Sequence, residues 1–208
     1  MFFWRGTSEK DEKPFRIWYA NLKEIKSLLT KKTGFMVFTA TATRATKQKI
    51  FDLLGLDKNS TVTMEKSPCK ENLKFIVRYI ERDTSFESAF GSVVSELKQD
   101  NCERTLIYCQ TRKQCGLLFR FFNVILGDDM YSEKVRKPTK RRVEMFHAGS
   151  PDSVKKHILT ELKKEQSQLR IIVCTIAFGM GIDCVGIKGV INFGPPKNIE
   201  SYVQMCGR

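Results

Sequence analysis

The chain has 208 residues, a hydrophobic content of 41% and a formal net charge of +13 at pH 7. No apolar run approaches the ~20 residues that a membrane-spanning helix needs, so we expect neither a membrane protein nor a membrane partner. Seven cysteines without a C-x-x-C pair and only two histidines predict reduced thiols and no metal site. The excess of positive charge favours a polyanionic partner, and nucleic acid is the first candidate.

The first third of the chain predicts one strand with a helix on either side. The apolar spacing favours a helix over residues 20–30, a strand over 35–38 and a helix over 43–54 that Gly55 can end. The polar residues 57–72 include Pro68 and several lysines, which is typical of a link between two lobes.

The rest of the chain alternates short apolar runs with helical patterns, which predicts a parallel sheet with crossover helices. Phe86, Phe90 and Leu97 lie at helical spacing, as do Leu117, Phe121 and Ile125. The predicted strands are residues 73–80, 105–109, 143–146, 171–174 and 190–193, and the later helices are 152–164 and 198–205. In an open parallel sheet, ligands bind where loops leave the carboxyl ends of the strands.

A dense basic run precedes the strand at 143–146. It consists of Lys134, Arg136, Lys137, Lys140, Arg141 and Arg142, around Pro138. This composition favours a solvated, self-repelling loop over a packed element. A patch that contacts phosphates and a nuclear import signal remain open alternatives.

Hydroxyl groups follow the first predicted strand, in the run from Thr39 through Thr41 to Thr43. Such groups can cap the following helix and leave one hydroxyl for a neighbouring carboxylate. After the strand at 105–109 come Gln110, Thr111, Arg112 and Lys113, at the predicted start of a helix. Exposed backbone donors together with Arg112 could hold a phosphate there, although a solvated first turn fits the spacing equally well.

Two glycines and a carboxylate form the most specific pattern, in the string Thr175-Ile176-Ala177-Phe178-Gly179-Met180-Gly181-Ile182-Asp183. Gly179 and Gly181 permit a close backbone approach to a phosphate or a tight turn. Asp183 offers an acceptor for ribose hydroxyls or a cation-bound water. A dinucleotide fingerprint is rejected because it needs a third glycine where Cys184 stands.

This string resembles motif V of the RecQ-like DNA helicases, and Gln204-x-x-Gly207-Arg208 resembles the first half of their motif VI. The Thr39 to Thr43 run is similar to motif III of superfamily 2 helicases, and residues 106–114 are similar to RecQ motif IV. Phe146-His147-Ala148-Gly149 resembles the block that follows, and Phe15-Arg16 resembles the aromatic-rich loop of the family. The resemblance spans nearly the whole chain.

The resemblance implies an α/β fold: a RecA-like parallel sheet flanked by helices, as in the helicase C-terminal lobe, plus a remnant of the first RecA-like lobe. It implies domains at residues 1–66 and 67–208, and an ATP-dependent 3′ to 5′ DNA helicase. The implied ligands are single-stranded DNA, forks or junctions, and ATP with Mg²⁺ in the complete enzyme. The implied location is the nucleus for a eukaryotic source and the cytoplasm otherwise.

The resemblance also implies roles for individual residues. For catalysis it implies Gln204 and Arg208, and for ATP binding it implies Gly181, Asp183 and Arg208. For DNA binding it implies Arg16, Thr111, Arg112, Gly149 and Thr175, with His147 in a positioning role at most. For coupling between the two it implies Thr39, Thr41 and Thr43.

No Gly-Lys dipeptide occurs in the chain, so the Walker A loop that cradles a triphosphate is absent, as is a Walker B motif. Phosphoryl transfer relies on the positioning and charge that those parts supply. We therefore expect a partial helicase chain that hydrolyses no ATP alone. A truncated paralogue that binds nucleic acid without catalysis is the alternative.

Overall fold

We describe the fold from a computed structural model. It describes residues 24, 28–30, 33–39, 43–67, 70–81, 83–133, 136–179, 182 and 184–207. The chain divides into two compact units, Met1–Phe75 and Ile76–Arg208. The assignment of two lobes with a division after residue 66 stays a prediction.

The first unit contains helix α1, Arg44–Leu54. The Thr43 hydroxyl accepts a hydrogen bond from the Thr46 amide at 3.2 Å, so Thr43 is the N-cap. Gly55 follows the helix with a φ of 54°, a left-handed conformation that favours glycine. The predicted helix over 43–54 is confirmed, whereas the predicted helix over 20–30 lies largely outside the described residues.

Two of the sequence-predicted strands do not form in the described part of the chain. Residues 35–38 form no strand, and Met36 is 81% and Phe38 83% exposed. Residues 73–80 likewise form no strand, and Val77 and Tyr79 are both 92% exposed. An apolar run favours the extended backbone, but a strand also requires a neighbour that accepts and donates its ladder hydrogen bonds.

The second unit is built on a four-stranded parallel sheet of order β2-β3-β1-β4. The strands are β1 Thr105–Cys109, β2 Val143–Phe146, β3 Ile171–Thr175 and β4 Gly189–Phe193. The central strands β1 and β3 are almost wholly buried, as near-continuous apolar runs require. The prediction of a parallel α/β sheet is therefore confirmed.

Helices cover both faces of this sheet. They are α2 Phe86–Lys98, α3 Arg112–Leu126, α4 Asp152–Leu162 and α5 Ile199–Cys206, with 3₁₀ helices at Gly127–Met130, Pro138–Lys140 and Ile176–Gly179. Ile107 and Val173 face a core formed with α2 and α3. Leu106 and Ile172 face the opposite core, formed with α4, Phe178 and Met205. Alternate strand residues thus supply two cores, one on each face.

The six cysteines among the described residues are all free thiols. Within the same residues, no group of three or more His, Cys, Asp and Glu side chains could hold a metal ion. No helix there is both long and apolar enough to cross a membrane.

Candidate nucleic-acid and nucleotide site

The candidate site lies at the carboxyl edge of the sheet. Because β1, β2 and β3 are parallel neighbours, the loops that follow them emerge on the same side. Gln110 and Thr111 follow β1, His147 follows β2, and Thr175 is the last residue of β3. The strand order puts Thr175 between the other two loops, at strand spacings of about 4.8 Å.

Thr111 and two glutamines shape the start of α3. The Thr111 hydroxyl oxygen accepts the Gln114 amide at 3.1 Å and is the N-cap of this helix. The Gln114 side-chain oxygen in turn accepts the Gln110 amide at 2.8 Å. Thr111 and Arg112 are both exposed, and the first-turn amides of the helix have no intrahelical acceptors. The helix start therefore presents donors and one guanidinium to solvent.

The turn after β2 is held by its own polar groups. The Ser150 hydroxyl accepts the His147 amide at 3.0 Å and donates to the Met145 carbonyl, 3.3 Å away. The Gly149 amide donates to His147 Nδ1 at 3.0 Å. These bonds fix residues 147–150 in one compact turn, which we call the histidine turn.

Arg112 lies beside the histidine turn. A Cβ atom built on Gly149 would be 3.8 Å from Arg112 Nη1 and 3.3 Å from His147 Cε1. A larger residue at position 149 would therefore crowd the imidazole, which explains why glycine suits this position. Two of the predicted DNA-binding residues, Arg112 and Gly149, are brought together from separate parts of the sequence.

Thr175 completes this edge. It is only 8% exposed and pairs in register with Cys109, the residue before the α3 loop. Gln110 extends the edge toward β4, because its side-chain amide donates to the Gly194 carbonyl at 3.1 Å. Sequence reasoning missed this link, because it joins residues that are 84 positions apart in the sequence.

Two buried thiols beneath this edge, those of Cys109 and Cys174, have raised pKa values. A hydrogen bond with Cys115, together with burial, raises the pKa of Cys109. Burial also raises the pKa of the Cys174 thiol well above its ordinary value. Since the thiolate is the reactive form, a raised pKa disfavours covalent chemistry at these two thiols.

The segment after β3 leads to the predicted nucleotide residues. Phe178 is fully buried in the 3₁₀ helix, and its ring packs edge-on against Phe146, with centroids 5.0 Å apart. Gly181 and Asp183 lie outside the described residues. Ile182, between them, packs half-buried against the core that includes Phe178.

The predicted catalytic Gln204 is a half-buried residue of α5. Asn198 caps this helix by accepting the Ser201 amide at 2.8 Å. The neighbouring Met205 is buried in the same core as Phe178, which fixes α5 beside the 3₁₀ helix. Arg208 lies outside the described residues.

Of the remaining predicted site residues, the structure describes Thr39 and Thr43. Thr43 caps α1, as expected for one of the three hydroxyls, and Thr39 is exposed in the first unit. Arg16 and Thr41 lie outside the described residues.

The basic run differs from the predicted solvated loop. Lys134 lies outside the described residues, and four of the other five cations form ion pairs. The pairs are Arg136–Asp128 at 2.8 Å, Lys140–Glu133 at 2.5 Å, Arg141–Glu144 at 3.7 Å and Arg142–Asp100 at 2.7 Å. Arg142 is buried, and its guanidinium charge is compensated by the Asp100 carboxylate.

The parallel sheet and its polar carboxyl edge define an α/β domain of the RecA-like class. The profile of the helicase conserved C-terminal domain matches residues 88–208. This match covers more than half of the chain, which therefore belongs to the family of helicase conserved C-terminal domains.

The curated relatives include RecQ-type helicases. The chain is 29% identical over 174 residues to the ATP-dependent DNA helicase Q4 of Homo sapiens, covering 84% of this chain and 14% of that protein. It is 32% identical over 195 residues to the ATP-dependent DNA helicase RecQ of Bacillus subtilis, covering 93% of this chain and 29% of that protein. The resemblance to RecQ-like helicases is thereby confirmed, and the chain spans less than a third of the length of either relative.

Solved structures support the fold. S. cerevisiae Dbp5 bound to RNA and ADP BeF3 matches 89% of this chain and 44% of its own, with a TM-score of 0.55 and 16% identity. Mycobacterium smegmatis helicase Lhr, bound to single-stranded DNA and AMP-PNP, matches 62% of this chain and 16% of its own, with a TM-score of 0.50 and 18% identity. At these identities the likeness concerns the architecture.

Proposed function

We propose that the chain is part of a RecQ-type, ATP-dependent 3′ to 5′ DNA helicase, in which the carboxyl edge of the sheet binds single-stranded DNA. The observation that supports this most is the adjacency of Arg112 and the histidine turn, where Arg112 Nη1 is 3.8 Å from a Cβ atom built on Gly149. Residues 1–66 would be the remnant of the first RecA-like lobe, and residues 67–208 the second.

The DNA contact follows from the donors at this edge. Arg112 can pair with phosphate oxygens, and the first-turn amides of α3 add the positive end of the helix dipole. The Thr111 hydroxyl can still donate its proton while its oxygen accepts the Gln114 amide. These groups recognise a sugar-phosphate backbone rather than base edges, so binding would depend weakly on sequence. Arg16 would add a further backbone contact in the complete enzyme.

The nucleotide contact would lie around α5 and the loop after the 3₁₀ helix. Gly181 and Asp183 would face ATP, and Gln204 and Arg208 would stabilise the charge that develops on the transferred phosphoryl group. Mg²⁺ would be held in the complete enzyme by parts outside this sequence. Since Phe178 and Met205 share one core, a change near the nucleotide could move the DNA edge. Thr39, Thr41 and Thr43 would transmit the same change through the first lobe.

The proposed substrates are single-stranded regions at forks or junctions, and the proposed location in a eukaryote is the nucleus, in recombination and repair. The sequence holds neither Walker motif. We therefore expect the 208-residue chain to bind single-stranded DNA weakly and to hydrolyse no ATP.

Both expectations are tested with one purified protein. Fluorescence anisotropy with a labelled oligothymidine, at several NaCl concentrations, should give a Kd that weakens as salt rises, because bound phosphates release counterions. A coupled ATPase assay with the same DNA should give the same rate of ATP hydrolysis as buffer without protein. Salt-independent binding would contradict the DNA proposal, and DNA-stimulated hydrolysis by the isolated chain would contradict the second expectation.

A further inference from the structure

The histidine turn fixes the tautomer of its own imidazole. The Gly149 amide donates to His147 Nδ1 at 3.0 Å. A ring nitrogen that accepts a hydrogen bond has no proton, so the proton of the neutral ring must be on Nε2. His147 is thereby held with an N–H donor on the side of the ring away from the Gly149 amide.

The same bond removes the Gly149 amide from the donors that could reach a phosphate. The Ser150 hydroxyl is engaged with Met145 and His147, and Lys155 Nζ donates to the Ala148 carbonyl at 3.1 Å. In the described part of the chain, no hydrogen bond uses His147 Nε2. The Gly149 amide, the Ser150 hydroxyl and the Ala148 carbonyl are therefore all hydrogen-bonded, and the N–H at His147 Nε2 is a side-chain donor that is still available.

The imidazole ring that carries this donor lies near the Arg112 guanidinium. The Gly149 Cβ position is within 3.3 Å of His147 Cε1, which is bonded to Nε2, and within 3.8 Å of Arg112 Nη1. The imidazole of His147 and the permanent cation of Arg112 thus both lie close to the Gly149 position, although they come from separate loops. A phosphodiester has two non-bridging oxygens, so each donor can take one of them.

We propose that His147 Nε2 and Arg112 Nη1 together bind one backbone phosphate of single-stranded DNA. His147 is a direct contact in this arrangement, and Gly149 contributes by fixing the imidazole instead of touching the phosphate. The inference rests on the proposed function, because it assumes that DNA crosses this edge.

Two conservative variants separate the two ring nitrogens. In His147→Gln the side-chain amide can replace the Nε2 donor but cannot replace the Nδ1 acceptor, whereas His147→Asn does the reverse. With the oligothymidine anisotropy assay, His147→Gln should remain within about threefold of the wild type, and His147→Asn should bind about tenfold more weakly. Wild-type affinity in His147→Asn with weak binding in His147→Gln would overturn the contact and leave His147 a positioning residue.

The salt dependence distinguishes the two partners of the phosphate. His147→Asn should keep the wild-type slope of log Kd against log salt, because a neutral donor releases no counterion. Arg112→Gln should reduce the slope by about 0.7 for single-stranded DNA. If the wild type does not bind, or Arg112→Gln changes nothing, the proposed function itself fails. If Arg112→Gln weakens binding and both His147 variants match the wild type, only the His147 contact fails.

The tautomer can be observed without DNA. The chain has only two histidines, so a His157→Gln variant assigns the His147 ring signals in a long-range ¹H–¹⁵N spectrum. The proposal expects an unprotonated Nδ1 and a protonated Nε2 in the free protein, with Nε2 shifting on addition of the oligonucleotide. A protonated Nδ1 in the neutral ring would overturn it.

Discussion

The rings of Phe146 and Phe178 pack edge-on, with centroids 5.0 Å apart and an interplanar angle of 78°. Phe146 ends β2 and directly precedes the histidine turn, and Phe178 directly precedes Gly179. Met205, next to Gln204, belongs to the same buried core. One packed aromatic pair therefore connects the proposed DNA edge to the helix that holds the proposed nucleotide residue.

Replacing Phe178 should destabilise the second unit strongly. Phe178→Ala removes a fully buried ring and leaves a cavity, so the free energy of unfolding should fall by about 3–5 kcal/mol. Urea unfolding followed by circular dichroism measures this. Leu117→Ala, at an exposed apolar position of α3, is the control and should change stability by about 0.5 kcal/mol or less. A loss below about 1 kcal/mol for Phe178→Ala would contradict the packing described.

Arg104 should be the strongest polar determinant of stability in this unit. It is 3% exposed and donates to three backbone carbonyls: Val185, Lys164 at 2.9 Å and Glu165 at 3.4 Å. Arg104→Met keeps much of the volume but leaves those carbonyls unpaired, which should cost about 2–4 kcal/mol in urea unfolding. Arg104→Lys should recover part of the loss. Equal stability of Arg104→Met and wild type would show that water replaces these bonds.

Gly189 is required by the close contact between β1 and β4. A Cβ atom at this position would be 2.7 Å from Thr105 Oγ1 and 3.2 Å from Thr105 Cγ2. Gly189→Ala should therefore lower the free energy of unfolding by about 1–3 kcal/mol. In a Thr105→Ala background the same substitution should cost about 0.5 kcal/mol or less, because both crowding atoms are gone. Additive effects in this double-mutant cycle would refute the contact.

Glu161 should make stability depend on pH in the acid range. Burial alone would raise the pKa of Glu161, but hydrogen bonds from Lys164 at 2.6 Å and Ser167 at 2.7 Å outweigh it and lower this pKa. A pKa that is lower in the folded state contributes stability above the unfolded pKa, near ~4.3, and that stability is lost as pH falls through the folded value.

The matched variant for this prediction is Glu161→Gln. Its deficit relative to wild type should be about 1–2 kcal/mol at pH 7 and should shrink below pH ~4 in urea unfolding. Glu165→Gln, at an exposed neighbouring position, is the control and should show no such pH dependence. A Glu161→Gln deficit that is constant from pH 7 to pH 3 would mean that the carboxylate charge is not responsible.

The sheet of the second unit could be predicted from the sequence because its strands are short apolar runs with polar ends. The bounds of β1 and β2 agree with the predicted ones, and those of β3 and β4 differ by one residue. The predictions over 35–38 and 73–80 used the same signal and were wrong for the described residues. Hydrophobicity indicates that a segment avoids water, but not which neighbour completes its ladder.

The residues of the candidate site could be predicted from the sequence, but the contacts between them could not. The sequence indicates that Arg112 and Gly149 each follow a strand, whereas their adjacency depends on the order β2-β3-β1. The engagement of the Gly149 amide by His147 depends on the shape of the turn. The ion pair of Arg142 likewise depends on the fold, because its partner Asp100 lies 42 positions away in the sequence.

The central claim is that single-stranded DNA crosses the carboxyl edge of the sheet, and an amide ¹H–¹⁵N titration of the full chain with oligothymidine tests it most directly. The account predicts that the largest chemical-shift changes occur at residues 110–113, 147–150 and 175–176. Largest changes at residues 136–142, or at the opposite edge around Arg104 and Val185, would contradict it.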